Sequence, residues 1–266
     1  MEPTSDRGGV QRSEPVRTAL DPLAGCVIVI VAYAAAATIA QVLDRIPDEV
    51  ASHVGAILVS DDSSTDATAE LANRWGAGRP EVALTVIRQP RNLGYGGNQR
   101  FCYRWAAERG FEHVVMIHGD GQYAPELTLR MLEPLLAGRA DAVFGSRMID
   151  RHGARDGGMP LYKRIGNRVL TSVQNHVTGL RLSEWHSGYR AYSLAVLERI
   201  DLGSLSSGFD FDTQIILEMH RLDTTIWEIA IPTFYGTEKC HVNGFRYASQ
   251  VTREVLRHRR TASKLR

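Results

Sequence analysis

The sequence predicts an α/β chain: a doubly wound, mostly parallel sheet with helices on both faces. Short runs of β-branched and apolar residues alternate with stretches whose apolar residues recur at helical spacing. The first run, Cys26 to Ala32, is apolar throughout, as a parallel strand buried on both faces must be. Polar clusters follow several of these runs, at the carboxyl ends where an open parallel sheet binds its ligands. Hydrophobic residues make up 44% of the 266 and charged residues 23%, which excludes a wholly disordered chain.

The elements follow in order. Residues 1–24 are rich in Arg, Asp, Glu, Pro, Gly and Ser, lack the apolar core of a signal peptide, and read as a disordered arm. Leu23 to Ala40 carries no charge over 18 residues, formally enough for a membrane span. Its pattern argues otherwise. A β-branched strand leads into small residues at Tyr33 to Ala37, and then a helix over Thr38 to Ile46 aligns Ile39, Val42, Leu43 and Ile46. Strands are predicted at Val54–Val59, Val82–Ile87, Val114–Ile117 and Asp141–Phe144. Helices are predicted at Thr65–Trp75, capped by Ser63 or Ser64, at Asn98–Arg109, and at Pro125–Leu136 with proline near its start. Beyond Gly145 the rhythm changes. Leu161–Val177 and Phe211–Leu222 read as helices, and Thr225–Ile231 as a strand stopped by Pro232. With no internal repeat and no linker, one domain spans residues 25–240, and 241–266 is a basic tail.

Lys and Arg total 31 against 30 for Asp and Glu, so no global charge bias points to nucleic acid. Cys26, Cys102 and Cys240 are odd in number and far apart, which excludes a disulfide framework and a four-thiolate zinc site. The expected compartment is reducing, hence cytoplasmic.

After the second strand come Asp61, Asp62, Ser63, Ser64, Thr65 and Asp66, and after the fourth come His118, Gly119, Asp120, Gly121 and Gln122. Clustered carboxylates repel unless a cation or donor balances them. Asp61 and Asp62 favour a helix start or the hydroxyls of a ribose. Asp120 and Gln122, oxygen donors at i and i+2, suit a hard cation such as Mg2+ or Mn2+; the bland alternative is an Asp-Gly turn. Arg91 to Asn98 is a Gly-rich loop opening a helix, without the Lys-Ser/Thr of a P-loop. Gly145-Ser146-Arg147 and the helix residues Lys163, Arg164 and Arg168 form a second candidate anion site, or a solvated basic face. The histidines, His186 and His241 among them, form no zinc motif.

These residues resemble family 2 glycosyltransferases. Val59 to Asp66 is similar to the V-D-D-G-S-T-D motif, Arg91 to Gly96 to N-x-G-x-G, and His118 to Gln122 to D-A-D-x-Q. Gly145 to Arg147 is similar to G-S-R, and Ser187 to Tyr192 to S-G-[FY]-R-A-[FY]. The resemblance covers about Cys26 to Tyr235 and is strongest to the branch that builds polyprenyl-phosphate sugars of the dolichyl type. It implies a GT-A fold, a nucleotide-sugar donor and a divalent metal, Mg2+ or Mn2+. By position, Tyr33, Asp61, Asp62, Asn92, Gly94, His118 and Asp120 would line the donor site, with Asp120 and Gln122 on the metal. Arg147, Lys163, Arg164, Asn167 and Ser187 would hold the acceptor.

Three departures stand out. Where the family has P-x-Y-N-E-E, this chain has Val31 to Ala36, keeping only Tyr33. The first acid of D-x-D is His118, leaving one carboxylate for the metal, and the acid before S-G-[FY]-R is Glu184. The implied reaction is inverting transfer from a nucleotide-sugar to a polyprenyl phosphate. The alternatives are the same fold glycosylating a saccharide or small-molecule hydroxyl, and a non-catalytic sugar-nucleotide-binding relic or partner subunit. A hydroxyl acceptor requires a base, for which Asp212 is the candidate, with Asp210 and Glu184 behind it. Arg253, Arg257, Arg259, Arg260, Lys264 and Arg266 make the C-terminus either a solvated basic tail or a surface suited to peripheral contact with the inner face of the cell membrane.

Overall fold

The computed structural model describes residues 21–150, 158–232 and 244–262. The arm over 1–20, the stretch holding Cys240 and His241, and the terminal Lys264 and Arg266 lie outside the described residues.

The β-branched runs form the strands, and the sheet among the described residues has seven. They are β1 (Cys26–Ala32), β2 (Ala56–Asp61), β3 (Leu84–Arg88), β4 (His113–His118), β5 (Ala142–Ser146), β6 (Arg190–Ser193) and β7 (Ile226–Ala230). Their order across the sheet is β3-β2-β1-β4-β6-β5-β7. The pairs β1–β2, β1–β4, β2–β3 and β5–β7 are parallel. Only β6 is reversed, paired antiparallel to β4 on one side and to β5 on the other. The order turns back at β1, so β1 and β4 flank the crevice where a doubly wound sheet receives ligands.

Helices cover both faces. On one side, α1 (Ile39–Asp44), α2 (Asp48–Ala51), α3 (Thr68–Ala77) and α5 (Thr128–Leu136) pack on Ile28, Ile30, Ile57, Val59, Val115 and Ile117. On the other, α4 (Tyr95–Ala107) packs on Val27, Val29, Leu58, Val114 and Met116. Alternate residues of β1 serve the two cores, which is why all seven are buried. Each fully buried Ile, Leu or Val side chain contributes about 1.5–3 kcal/mol, so this strand is the anchor of the molecule.

The second half adds α6 (Leu161–Thr178), α7 (Leu194–Leu197), α8 (Phe211–Arg221) and α9 (Gly244–Ala262). Beside the short helices α2 and α7, two larger features depart from the sequence reading. The strand β6 was not predicted. The stretch expected as a basic tail is, over 244–262, the helix α9, which packs on α6 and α8 and buries Val251 and Val255. Among the described residues no helix is long and apolar enough to cross a membrane.

Candidate active site

The register brings the polar strand ends together. Ala32 pairs with Asp61 across β1 and β2, and Val31 pairs with His118 across β1 and β4. The loop after β1, the acids after β2 and the His118–Gln122 turn thus start at one level of one sheet edge.

The residues after β2 lace this edge rather than cap a helix. The Ala34 N–H donates to Ser64 Oγ at 2.9 Å, Ala35 to Thr68 Oγ1 at 2.9 Å, and Ala36 to Asp66 Oδ2 at 3.1 Å. These contacts spend the Ser64 hydroxyl, one of the two side chains expected to cap the helix. α3 accordingly begins at Thr68 rather than Thr65, and neither Ser63 nor Ser64 is its cap. The alanine run is bound through its backbone, so the loop keeps its shape without the family's polar side chains. Tyr33 is 53% exposed beside it, open to a flat ligand.

The two acids take different tasks. Asp61 is fully buried; its Oδ1 accepts from the Ser64 N–H at 3.1 Å and from the Ser64 hydroxyl. Its Oδ2 has no hydrogen-bond partner and lies 3.9 Å from Arg88 Nε. Asp62 instead accepts from the backbone N–H of Leu93 at 2.6 Å and of Gly94 at 3.0 Å. Burial pushes its carboxyl above the ordinary value, and those two N–H groups pull it back only in part. Asn92 serves the same loop, donating to the Asp62 carbonyl at 3.1 Å and accepting from Gly94 at 3.0 Å. Gly94 has φ +77° and sits against the Ser207 carbonyl, where a Cβ would come within 2.6 Å, so only glycine fits. Asp62, Asn92 and Gly94, expected against the donor, therefore hold the Gly-rich loop in place. Asp61 is the acid left with an oxygen to offer.

His118 and Asp120 end β4. Asp120 Oδ1 accepts from the Gln122 N–H at 3.0 Å, while Oδ2 faces His118 Nδ1 at 3.9 Å. The Asp120 side chain is 38% exposed. The His118 ring stands edge-on to Tyr95 and Tyr123, with centroids 5.3 and 5.0 Å away. Its Nε2 meets the Tyr95 hydroxyl at 3.0 Å. Burial holds its imidazolium below the ordinary range, against the opposing pull of Asp120 and Asp212. Among the described residues no group of three or more His, Cys, Asp or Glu converges. Asp120 with one neighbour suits an ion such as Mg2+ or Mn2+, which takes one or two protein donors and completes its shell with phosphate oxygens.

Asp212, expected as a base, is given another task. It is 6% exposed at the start of α8. Its Oδ2 accepts from the Tyr95 hydroxyl at 2.8 Å and its Oδ1 from Gln99 Nε2 at 3.2 Å. Both oxygens of Asp212 are thus engaged, and the carboxylate orients Tyr95 and, through it, His118.

On the other side of the sheet, Arg147 is 6% exposed and bound to Glu184. Its Nε donates to Glu184 Oε1 at 2.9 Å, its N–H to Oε2 at 2.7 Å, and its Nη2 to the His186 carbonyl at 3.2 Å. Asn167 Nδ2 donates to the same Oε1 at 2.6 Å. Burial alone would raise the Glu184 pKa; the Arg147 guanidinium and these hydrogen bonds outweigh it and hold the carboxyl below its ordinary value. Arg147 and Asn167 do converge, as the resemblance implied, but on Glu184. Ser187 is buried and turns the chain into β6, its carbonyl accepting from Arg190 Nε at 2.8 Å. Lys163 and Arg164 are half-buried on the first turn of α6.

That helix is turned inside out. Asn167, Thr171 and Gln174 face inward, each 7% exposed or less, while Leu161, Tyr162, Ile165, Val169 and Val173 lie between 39% and 71% exposed. At 100° per residue those five share one face, opposite the buried polar one.

Tyr95, Gln99, Tyr123 and Gly188 also belong to the site, and sequence reasoning assigned them no role. Tyr123 accepts from the Gly188 N–H at 2.7 Å, and a Cβ at Gly188 would come within 2.5 Å of the His118 ring. The only sequence signal for Tyr95 is its place in the Gly-rich loop.

Comparison with known proteins gives the family and the fold. The family model described as glycosyl transferase family 2 matches residues 27–201. The chain is 31% identical over 202 residues to an undecaprenyl-phosphate mannosyltransferase of Micrococcus luteus, covering 76% of this chain and 78% of that one. It is 29% identical over 188 residues to a polyprenol monophosphomannose synthase of Mycolicibacterium smegmatis, covering 70% and 69%. Among solved structures, it is similar to glucosyl-3-phosphoglycerate synthase from Mycobacterium tuberculosis in complex with Mn2+, UDP-glucose and glycerol 3-phosphate. The TM-score is 0.64 at 19% identity, covering 93% of this chain and 85% of that one. That likeness is one of fold, and the fold is GT-A.

Proposed function

The chain belongs to glycosyl transferase family 2, and from that premise we propose that it moves a sugar from a nucleotide-sugar, with inversion, onto a polyprenyl phosphate held at a membrane surface. The observation that carries the acceptor is α6. Its outward face is apolar, its flanks carry Lys163, Arg164 and Arg168, and its 18 residues include no Asp or Glu. A helix of that kind lies in the interface of an anionic bilayer, with its apolar face among the acyl chains. Its inward Asn167 reaches the Glu184–Arg147 pair, so the helix that meets the lipid is tied to the acceptor side of the sheet edge. The two relatives named above act on polyprenyl phosphates by name, which supports the same reading.

In the reaction the acceptor phosphate oxygen attacks the anomeric carbon. The bond from that carbon to the nucleoside diphosphate breaks, and the electron pair leaves with the diphosphate. A phosphate monoester is ionised near neutral pH, so no residue need take a proton. That agrees with an Asp212 committed to Tyr95 and Gln99. The exposed Tyr33 receives the nucleoside with the buried Asp61 carboxylate behind it, and Asp62 fixes the Gly-rich loop on that side. Asp120, with Gln122 on the same turn, would hold Mg2+ or Mn2+, whose charge stabilises the departing diphosphate.

The test supplies UDP-, GDP- and dTDP-sugars with Mn2+ to the purified chain, offering undecaprenyl phosphate in anionic vesicles or a saccharide panel. A lipid monophosphosugar is the expected product. Transfer only to saccharide hydroxyls would replace this reading with the second acceptor class. Donor binding without transfer to either would make the chain a binding relic.

A further inference from the structure

We propose that His118 is itself a ligand of the divalent ion, through Nδ1, so that nitrogen and carboxylate replace the usual pair of acids. The inference rests on the reading of a metal at Asp120.

The argument is a proton count. The Tyr95 hydroxyl lies 2.8 Å from Asp212 Oδ2 and 3.0 Å from His118 Nε2. It has one hydrogen to give. Asp212 accepts from Tyr95 on one oxygen and from Gln99 on the other, and Gln99 in turn accepts from the Tyr103 hydroxyl at 2.8 Å. The whole chain of donors thus runs toward Asp212, whose two oxygens both accept. The Tyr95 hydrogen is therefore spent there, and the contact with His118 is a hydrogen bond only if Nε2 is the donor. In a neutral ring that leaves Nδ1 bare, with its lone pair available.

Nδ1 is also the nitrogen that faces the metal residue, 3.9 Å from Asp120 Oδ2. Neighbouring donors on one octahedral ion, each about 2.1 Å from it, lie about 3 Å apart, so a small turn of the 38% exposed Asp120 carboxylate toward the ring brings both onto a single ion. The ring is held at that angle. Tyr95 and Tyr123 stand edge-on to it from two sides, and the backbone of Gly188 approaches it as only glycine can. A ligating histidine usually donates its other N–H to a fixed acceptor, which sets the tautomer. Tyr95, locked by Asp212, is such an acceptor, and this is the use the structure gives to both. A nitrogen donor also moves preference away from Mg2+, which favours oxygen, toward later first-row ions.

The experiment uses the full chain labelled with 15N-histidine and loaded with Mn2+ in the presence of UDP or, separately, GDP. Pulsed electron paramagnetic resonance reads whether a histidine nitrogen is bonded to the ion. The expected result is 15N coupling in the natural chain, absent in His118→Asp, which keeps Mn2+ because it restores the family's carboxylate. The ratio of Mn2+ to Mg2+ affinity should fall by about tenfold or more in that variant, and Tyr95→Phe should weaken Mn2+ binding by about 10–100-fold. Bound Mn2+ with no histidine coupling, or coupling that survives in His118→Asp, overturns the proposal and leaves the metal at Asp120 standing. No Mn2+ bound with either nucleotide removes the metal reading itself, and the proposal with it.

Discussion

At the ends of β1, β2 and β4, Asp61 keeps an oxygen without a hydrogen bond and Asp120 is 38% exposed. At the end of β5, Arg147 is 6% exposed and its guanidinium is locked to Glu184. The first half of the edge leaves Asp120 open beside a buried Asp61 that lacks one hydrogen bond, and the second half neutralises its charge inside the protein. The helix beyond the second half shows the complement, with polar residues inward and apolar residues outward. The difference teaches that the two ends of one sheet edge spend their charge in opposite ways. On the proposed function, the first receives an aqueous, multiply charged donor and the second stands against a surface with little water.

The comparison can be broken at its strongest bond. Glu184→Gln leaves Arg147 buried without its counter-charge, and loss of one partner of a buried pair costs about 3–5 kcal/mol, readable by urea unfolding. The sign with pH follows from the carboxyl being held low in the folded chain. Below about pH 4.3, where an ordinary glutamate takes up its proton, the unfolded chain binds the proton first. The pair's contribution is complete above that range and is lost as pH falls through the lower folded value. The variant should lack this segment of the acid slope.

Asp120→Ala tests the other half. It should lower kcat/KM by on the order of 10²–10³-fold, as removal of one charge-stabilising group does, with the urea midpoint unchanged. A variant that unfolds instead would make Asp120 a structural acid like Asp62, and the contrast between the halves would fail.

The medium is tested on α6. Ile165→Gln with Val169→Gln removes two outward apolar side chains that are 55% and 56% exposed. Stability should stay within about 0.5 kcal/mol, since surface changes do little. Sedimentation with anionic vesicles should weaken by about tenfold or more, at about 1 kcal/mol for each partly buried side chain. Equal vesicle binding by the variant would return the membrane contact to α9.

The smallest effect sharpens the donor half. Ser63 has φ +64° at the place of the glycine in the family motif it resembles. Ser63→Gly should raise stability by up to about 1 kcal/mol, as relief of the left-handed strain exceeds the entropy that glycine adds to the unfolded chain. Thermal unfolding reads it.

The donor half was the more legible in the sequence. β1, β2 and β4 are dense apolar runs, and the polar residues that matter follow them directly. β6 was hidden because it has four residues, opens on a charged Arg190 and runs against its neighbours, so neither length nor alternation marks it. α9 was hidden by its own charge, although Tyr247, Val251 and Val255 recur at a spacing of four. Asp61, Asp120 and Arg147 stand in local motifs that a sequence displays directly. The link from His118 through Tyr95 to Asp212 is not so displayed, because it joins three elements, the ends of β4, α4 and α8, that meet only in the folded chain.

The reversed strand has a mechanical consequence. Ala191 is fully buried between Val115 of β4 and Val143 of β5, with ladder hydrogen bonds on both sides. The two halves of the cleft are thereby stitched into one sheet, and among the described residues the ladder runs from β1 to β7 without a break between them.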